Sequence, residues 1–305
     1  MTEHARTWRP EWPCPVGRIL GQSRRGAGDP TYRIDGSRHW RGLRTPEGPT
    51  SLLVEPRPAE SVVAAHAWGP GAAWALDSLP GLLGADDDPT GFEPRLPLLE
   101  QAQRHHPHWR LGRTGLVLEA LVPAIIEQKV TGQEAFAGFR RLVKRYGEPA
   151  PGPGADAGLW VQPTPEALRT IPSWEWLRLH IDPARSRPLV RAAVVAGSLE
   201  RLAALPGEEA DRRLRSLPGV GRWTSAEVRT RALGDADAVS FGDYHVAADV
   251  GWAVRRTPMD DDELEEFLEP WRPHRGRVVA LIALTGLRRP RRGPRMAPRS
   301  HLPAG

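Results

Sequence analysis

The spacing of hydrophobic residues changes once along the chain. Over the first hundred positions they come in short runs cut by turn residues. Tyr32 to Ile34, Ser37 to Gly42 and Thr50 to Glu55 read as strands, separated by Asp35-Gly36 and Glu47-Gly48-Pro49. Val62 to Trp68 reads as a short helix broken by Gly69-Pro70-Gly71. A small mixed α/β lobe is therefore expected over residues 1–100, ending in the charged linker Asp86-Asp87-Asp88-Pro89. From there to Leu287 the apolar positions recur at helical spacing. Helices are expected at Leu98 to Arg104, Leu116 to Ile126, Gln133 to Tyr146, from Thr164-Pro165 onward, Arg185 to Leu199, Glu208 to Ser216, Asp261 to Glu269 and Arg277 to Leu284. Pro123 would kink or divide the second of these, because it lacks the amide of a helical hydrogen bond. Pro149 to Gly158, rich in Pro, Gly and Ala, reads as a flexible loop. No repeat of fixed period occurs.

One stretch of the helical region combines several local signals. A helix ending near Arg215 runs into Leu217-Pro-Gly-Val-Gly221, and Trp223, Ala226, Val228, Ala232 and Leu233 mark the apolar face of the next helix. The two hairpin glycines can take backbone angles that other residues avoid. Several amides would then point outward at the positive end of a helix, which is a seat for phosphate. Further on, Asp243 precedes the apolar-periodic segment Tyr244 to Val254, where it would serve as an N-cap. Each signal has a plainer reading: glycines and proline punctuate packed helices everywhere, and Asp caps helices in any protein.

Charge and cysteine usage narrow the classes. The chain has 305 residues and 40% hydrophobic content, enough for a core. Its 42 basic residues exceed the 37 acidic ones, and the excess lies in the terminal segment, where Arg288, Arg289, Arg291, Arg292, Arg295 and Arg299 occur with no acid. Residues 288–305 are expected to be a disordered Arg/Pro-rich tail that adds sequence-independent affinity for phosphate. Lys129 and Lys144 are the only lysines, and neither lies in the hairpin. Cys14, the single cysteine, excludes an internal disulfide framework, a four-cysteine zinc site and a four-cysteine iron-sulfur cluster, and suggests a reducing compartment. No apolar run is long enough to span a bilayer. His105, His106 and His108 read as surface residues, so no metal site is assigned to them.

Leu217-Pro-Gly-Val-Gly-Arg-Trp-Thr-Ser225 together with Phe241-Gly-Asp-Tyr244 resembles the helix-hairpin-helix DNA glycosylase superfamily, within it the 3-methyladenine DNA glycosylase II or AlkA-like type. The resemblance covers about Leu116 to Leu284. It implies a mainly α fold, with a helical glycosylase core over 101–287 behind the N-terminal α/β lobe. It also implies that Asp243 is catalytic, either stabilising an oxocarbenium ion or orienting water as a general base. Trp223 stands where strand-cutting members carry a Schiff-base lysine, and an indole cannot form a Schiff base. With Gln128 and Glu227, Trp223 is assigned to the base pocket, its face suited to a cationic purine. Glu227 stands where the type often has an aromatic, and pairing with Arg231 is its plainer role.

The resemblance assigns Lys129, Thr131, Pro218, Gly219, Val220, Gly221, Arg222 and Thr224 to DNA contact. Lys129 occupies the wedge position, which is usually apolar, and Pro270-Trp271-Arg272 matches the segment before the final core helix. The backbone of Leu217, Gly219 and Val220 is a possible monovalent-cation site, by resemblance alone; no cofactor is expected. The implied activity is that of a monofunctional glycosylase releasing alkylated purines, 3-methyladenine and 7-methylguanine, from damaged double-stranded DNA in base excision repair. It would act as a cytoplasmic, nucleoid-associated monomer without a membrane partner. The rivals are a non-catalytic DNA-binding protein using the same hairpin and a glycosylase for another lesion, such as a deaminated purine.

Overall fold

Short alternating runs in the first hundred residues pair into one antiparallel sheet, which a computed structural model describes, with the rest of the chain, over residues 2–290. The remainder of the expected tail lies outside the described residues. Strand β1 (Glu3–Trp8) and helix α1 (Val16–Leu20) precede the expected strands β2 (Tyr32–Asp35), β3 (Arg38–Thr45) and β4 (Gly48–Arg57). Val62–Trp68, expected as a helix, is strand β5, lying between β1 and β4 in the order β1-β5-β4-β3-β2. A strand with neighbours on both edges and cover on both faces is apolar almost throughout, so it lacks the alternation that marks a half-exposed strand; six of its seven residues are buried. Helices α2 (Ala72–Asp77) and α3 (Leu79–Leu82) close the lobe, burying Val54, Val63, Ala65 and Ala67 against Leu76 and Leu79.

The helical part runs α4 (Pro97–His105), α5 (Val117–Ile126) and α6 (Gly132–Tyr146). A small hairpin follows, made of β6 (Glu148–Pro149), α7 (Pro153–Asp156) and β7 (Trp160–Val161). Then come α8 (Pro165–Thr170), α9 (Ser173–Arg178), α10 (Pro183–Val194), α11 (Ala196–Glu200), α12 (Gly207–Arg215), α13 (Arg222–Val228), α14 (Val246–Arg255), α15 (Asp261–Leu268) and α16 (Arg275–Leu284). Two apolar cores hold them. One gathers α5, α6, α10, α12 and α13 around Leu121, Ile125, Leu142 and Leu189. The other packs α4 against α14, α15 and α16 through Leu99, Val250, Leu264 and Val278. The Asp243 segment thus emerges at the junction between a bundle built from the middle of the chain and one that joins its ends.

Four local expectations change. Pro123 neither breaks nor divides α5, because the carbonyl it leaves without a helical donor, that of Glu119, accepts from Gln162 Nε2 at 3.0 Å. The Pro149 to Gly158 segment is a packed element: Ser51 Oγ donates to the Pro151 carbonyl at 2.6 Å, and Ala150, Leu159 and Val161 form a small core under Trp40. The acidic linker is anchored as well. Asp87, its side chain 2% exposed, accepts Arg277 Nη1 at 3.0 Å, and His274 Nε2 donates to the Thr90 carbonyl at 3.0 Å. The helix expected over Arg185 to Leu199 is two, with the break at Val195.

Candidate active site

The hairpin between α12 and α13 is closed by Val220 N donating to the Leu217 carbonyl at 2.9 Å. Gly219 has φ +98°, and a Cβ there would stand 2.3 Å from Pro188 Cγ on α10, so both backbone and packing require glycine. Gly221 differs from expectation. Its φ of −97° suits any residue, and open space surrounds it. Among the described residues no acceptor meets the amides of Gly219 or Gly221, and both residues are exposed, as is Pro218. Val220 faces the other way, into the helical core.

The second turn runs Ser240-Phe241-Gly242-Asp243. Asp243 N donates to the Ser240 carbonyl at 3.1 Å, and Gly242 supplies the left-handed angle, φ +86°. Asp261 Oδ2, at the start of α15, accepts from Gly242 N at 2.9 Å. The Asp243 carboxylate is bonded on both oxygens. Its Oδ1 accepts from the amides of His245 (2.7 Å) and Val246 (3.1 Å), and its Oδ2 from Trp223 Nε1 at 3.2 Å. Asp243 is not the N-cap expected: α14 begins only at Val246 and His245 holds the N-cap position, while Asp243 accepts from the amides of both from just outside the helix. The positive end of α14 favours a negative charge there. Tyr244 beside it is 90% exposed, its ring edge-on to His245 at 4.9 Å between centroids.

Trp223 and Asp243 are therefore joined directly, and Gln128 meets the hairpin as well. Gln128 Nε2 donates to the Gly219 carbonyl at 2.9 Å and to Thr224 Oγ1 at 2.8 Å, tying the turn after α5 to the hairpin. That contact corrects one assignment. Thr224 is 2% exposed and spends its hydroxyl on Gln128, so it supports the hairpin from inside and presents nothing to DNA. Lys129 is exposed at φ +54°, at the tip of its turn. Thr131 caps α6 in a reciprocal capping box with Glu134. Arg222 lies over the Phe241 ring, 4.6 Å from its centroid, and pairs with Glu265 at 2.8 Å.

Glu227 occupies the plainer of its two roles. Its Oε2 pairs with Arg231 at 2.7 Å and its Oε1 accepts from Ser240 Oγ at 2.6 Å. Burial opposes its ionisation, yet Arg231, the Ser240 hydroxyl and Arg25 together hold the carboxyl below the usual range. Behind it, Arg25 pairs with Glu127 at 2.9 Å, where burial pushes the Glu127 carboxyl up. Ser240, Asp261 and Arg25 carry no motif of their own. No local signal in the sequence marks them.

Among the described residues no group of His, Cys, Asp and Glu side chains could hold a metal ion. His106 bonds to Arg18, and His105 Nδ1 to the Gln101 carbonyl. Of the hairpin carbonyls expected at a cation, Leu217 already accepts Val220 N and Gly219 accepts Gln128. Each keeps a second lone pair, so the donor set is compatible with a monovalent cation.

No family model matches the sequence. Over 175 residues, 53% of the chain, it is 33% identical to the probable bifunctional transcriptional activator/DNA repair enzyme AlkA of Mycobacterium tuberculosis, and it spans only a third of that protein's length, 33%. The 3-methyladenine DNA-glycosylase of Archaeoglobus fulgidus superposes with a TM-score of 0.75 at 17% identity, over 92% of this chain and 97% of that one. The Clostridium acetobutylicum 8-oxoguanine glycosylase/lyase, in complex with double-stranded DNA containing cytosine opposite 8-oxoG, gives 0.69 at 12% identity, over 94% and 97%.

Proposed function

The chain has the fold of the helix-hairpin-helix DNA glycosylases, and on that premise we propose that it is a monofunctional DNA glycosylase. It hydrolyses the N-glycosidic bond of alkylated purines in duplex DNA and leaves an abasic site. The observation that carries this reading is the Asp243 carboxylate, fixed by the Trp223 indole and the amides of His245 and Val246 beside a hairpin with unengaged amides. A base inside the duplex is out of reach of any protein carboxylate, so the nucleotide must be unstacked at a cost of a few kcal/mol. The Gly219 and Gly221 amides suit the flanking phosphates, and the exposed Lys129 turn suits the gap left in the stack.

Loss of the base places positive charge on the deoxyribose. A carboxylate already held by three N–H donors needs no reorganisation to stabilise that charge, which favours the electrostatic role for Asp243 over proton abstraction. Trp223 serves both partners: its N–H orients Asp243 and its ring offers a π-face to a cationic N3- or N7-alkylated purine. Such bases leave readily as neutral molecules, so a protein acid is not required. Strand cleavage through a Schiff base would need an amine beside the sugar. The hairpin offers an indole instead, and Lys144 is committed to the face of Trp160 at 4.4 Å.

The protein is expected to act as a monomer on damaged double-stranded DNA at the nucleoid. Among the described residues no helix is long and apolar enough to cross a membrane. Incubation with duplex DNA carrying 3-methyladenine and 7-methylguanine tests the reading: free base should appear while strands stay intact until alkali is added. Tight binding of the damaged duplex with no base released would favour the non-catalytic DNA-binding reading. Release of hypoxanthine from a duplex carrying deoxyinosine, with neither methylated base released, would move the assignment to deaminated purines.

A further inference from the structure

The position of Glu227 poses a question that base recognition does not answer. It lies one turn beyond Trp223 on α13, yet its side chain is 15% exposed and both oxygens are engaged, one by Arg231 and one by the hydroxyl of Ser240. Ser240 is the first residue of the turn whose last residue is Asp243, and its carbonyl accepts the Asp243 amide. The rest of the turn is held from its middle and its end: Phe241 is buried in the second core and the Asp243 carboxylate takes three hydrogen bonds. Gly242 is exposed, and a side chain at that position would meet nothing within 4 Å. Its amide is held by Asp261 and its aromatic, Phe241, lies under Arg222. Two contacts run from the start of the turn straight to the helix carrying Trp223, the hydrogen bond from Ser240 to Glu227 and the seat of Phe241 under Arg222, and only the first fixes Ser240.

We propose that Glu227 is a positioning residue: through Ser240 it fixes the turn that aims Asp243, so that α13 holds the carboxylate at both ends, by Trp223 at the acid and by Glu227 at the entry. A buried carboxylate without partners would not keep its charge, and here Arg231 provides the counter-charge on the same helix face. Arg231 is itself anchored, its Nε donating to the Gln22 carbonyl at 3.3 Å. Arg25 adds a second positive charge and pairs with Glu127, the residue just before Gln128 and Lys129. The same group of buried charges therefore links the turn that faces the duplex to the turn that carries the acid. An aromatic at position 227 would supply pocket surface but no acceptor for Ser240. This chain has exchanged one for the other.

The inference rests on the glycosylase reading, and its test separates the two. Single-turnover base release from methylated duplex DNA is measured for wild type, Ser240→Ala, Ser240→Thr and Glu227→Gln, with the dissociation constant for the same duplex and the melting temperature of each protein. Ser240→Ala should slow release by about tenfold to a hundredfold, as a small misplacement of a reacting group does, with DNA affinity unchanged. Ser240→Thr, which keeps the hydroxyl, should restore the wild-type rate. Glu227→Gln keeps an acceptor oxygen for the Ser240 hydroxyl and loses only the charge, so its rate should fall between those of wild type and Ser240→Ala. Should Ser240→Ala fail to fold, Ser240→Cys carries the test, since a thiol is a similar shape but a weak donor. Ser240→Ala releasing base at the wild-type rate would overturn the proposal, as would a threonine variant no better than alanine. Wild type releasing no base at all would instead remove the glycosylase reading beneath it.

Discussion

The two turns of the site are built on opposite principles. The Leu217 to Gly221 hairpin is held mainly by backbone and packing: one internal hydrogen bond, Val220 in the core and Gly219 pressed on Pro188, with a single side-chain bond from Gln128 to the Gly219 carbonyl. Its Gly219 and Gly221 amides are left over, on exposed residues. The Ser240 to Asp243 turn is held by side chains from two other elements, Glu227 and Trp223 on α13 and Asp261 on α15. Its polar groups are almost all used. A seat for a repeating anion needs only amides in a fixed arc, whereas a charge that must meet a developing cation needs its direction set by several independent contacts. Binding and rate should therefore respond to different residues.

Substitutions that break this division rank by expected size. Gly219→Ala should be the most damaging: a Cβ 2.3 Å from Pro188 Cγ at a positive φ costs about 2 to 4 kcal/mol of stability from strain and overpacking. Thermal melting should show it, and affinity for duplex DNA should fall with it. Trp223→Phe keeps a ring but loses the donor to Asp243 Oδ2. Base release should slow about tenfold, the worth of one hydrogen bond to a charged group, while affinity for undamaged duplex stays the same. Gln128→Ala removes the link to the Gly219 carbonyl and Thr224. DNA affinity should drop by about threefold to tenfold, equivalent to one ordinary hydrogen bond, and the single-turnover rate at saturating protein should change less.

The smallest effect concerns acid stability. Glu227 is held below its usual value of 4.5, so its contribution is fully present above that value and is lost as pH falls through the lower folded value. Glu227→Gln should therefore lose stability at neutral pH and approach wild type as the medium becomes more acidic. Melting temperatures compared across that range would contradict this if the difference stayed constant with pH.

These contrasts also explain what could be read from the chain. The hairpin was legible because glycine, proline and an apolar periodicity are local signals, and Asp243 because an acid just ahead of an apolar-periodic segment is local too. Glu227 with Arg231 was legible as a pair one helical turn apart. Its bond to Ser240 was not, because a serine in a loop carries no mark of the partner that a tertiary fold brings to it. The same limit hid Asp87 and Arg277, an ion pair 190 residues apart in sequence, behind what looked like a solvated linker. Strand β5 was misread for a different reason: with both faces covered, Val62–Trp68 has no alternation, and its alanines imitate a helix. The Pro149 to Gly158 segment has loop composition, yet close backbone packing on the sheet, where Gly154 would clash with Ser51 if it had a Cβ, makes small residues a requirement there.

The central claim is that Asp243, held in place by Trp223 and the amides of His245 and Val246, carries the chemistry. Single-turnover release of 3-methyladenine from methylated duplex by wild type and by Asp243→Asn, with DNA binding measured in parallel, tests it most directly. The account predicts a rate lower by about a hundredfold to a thousandfold for the asparagine variant, the scale of losing one electrostatic stabiliser, with binding retained. An asparagine variant that releases base at the wild-type rate would contradict it.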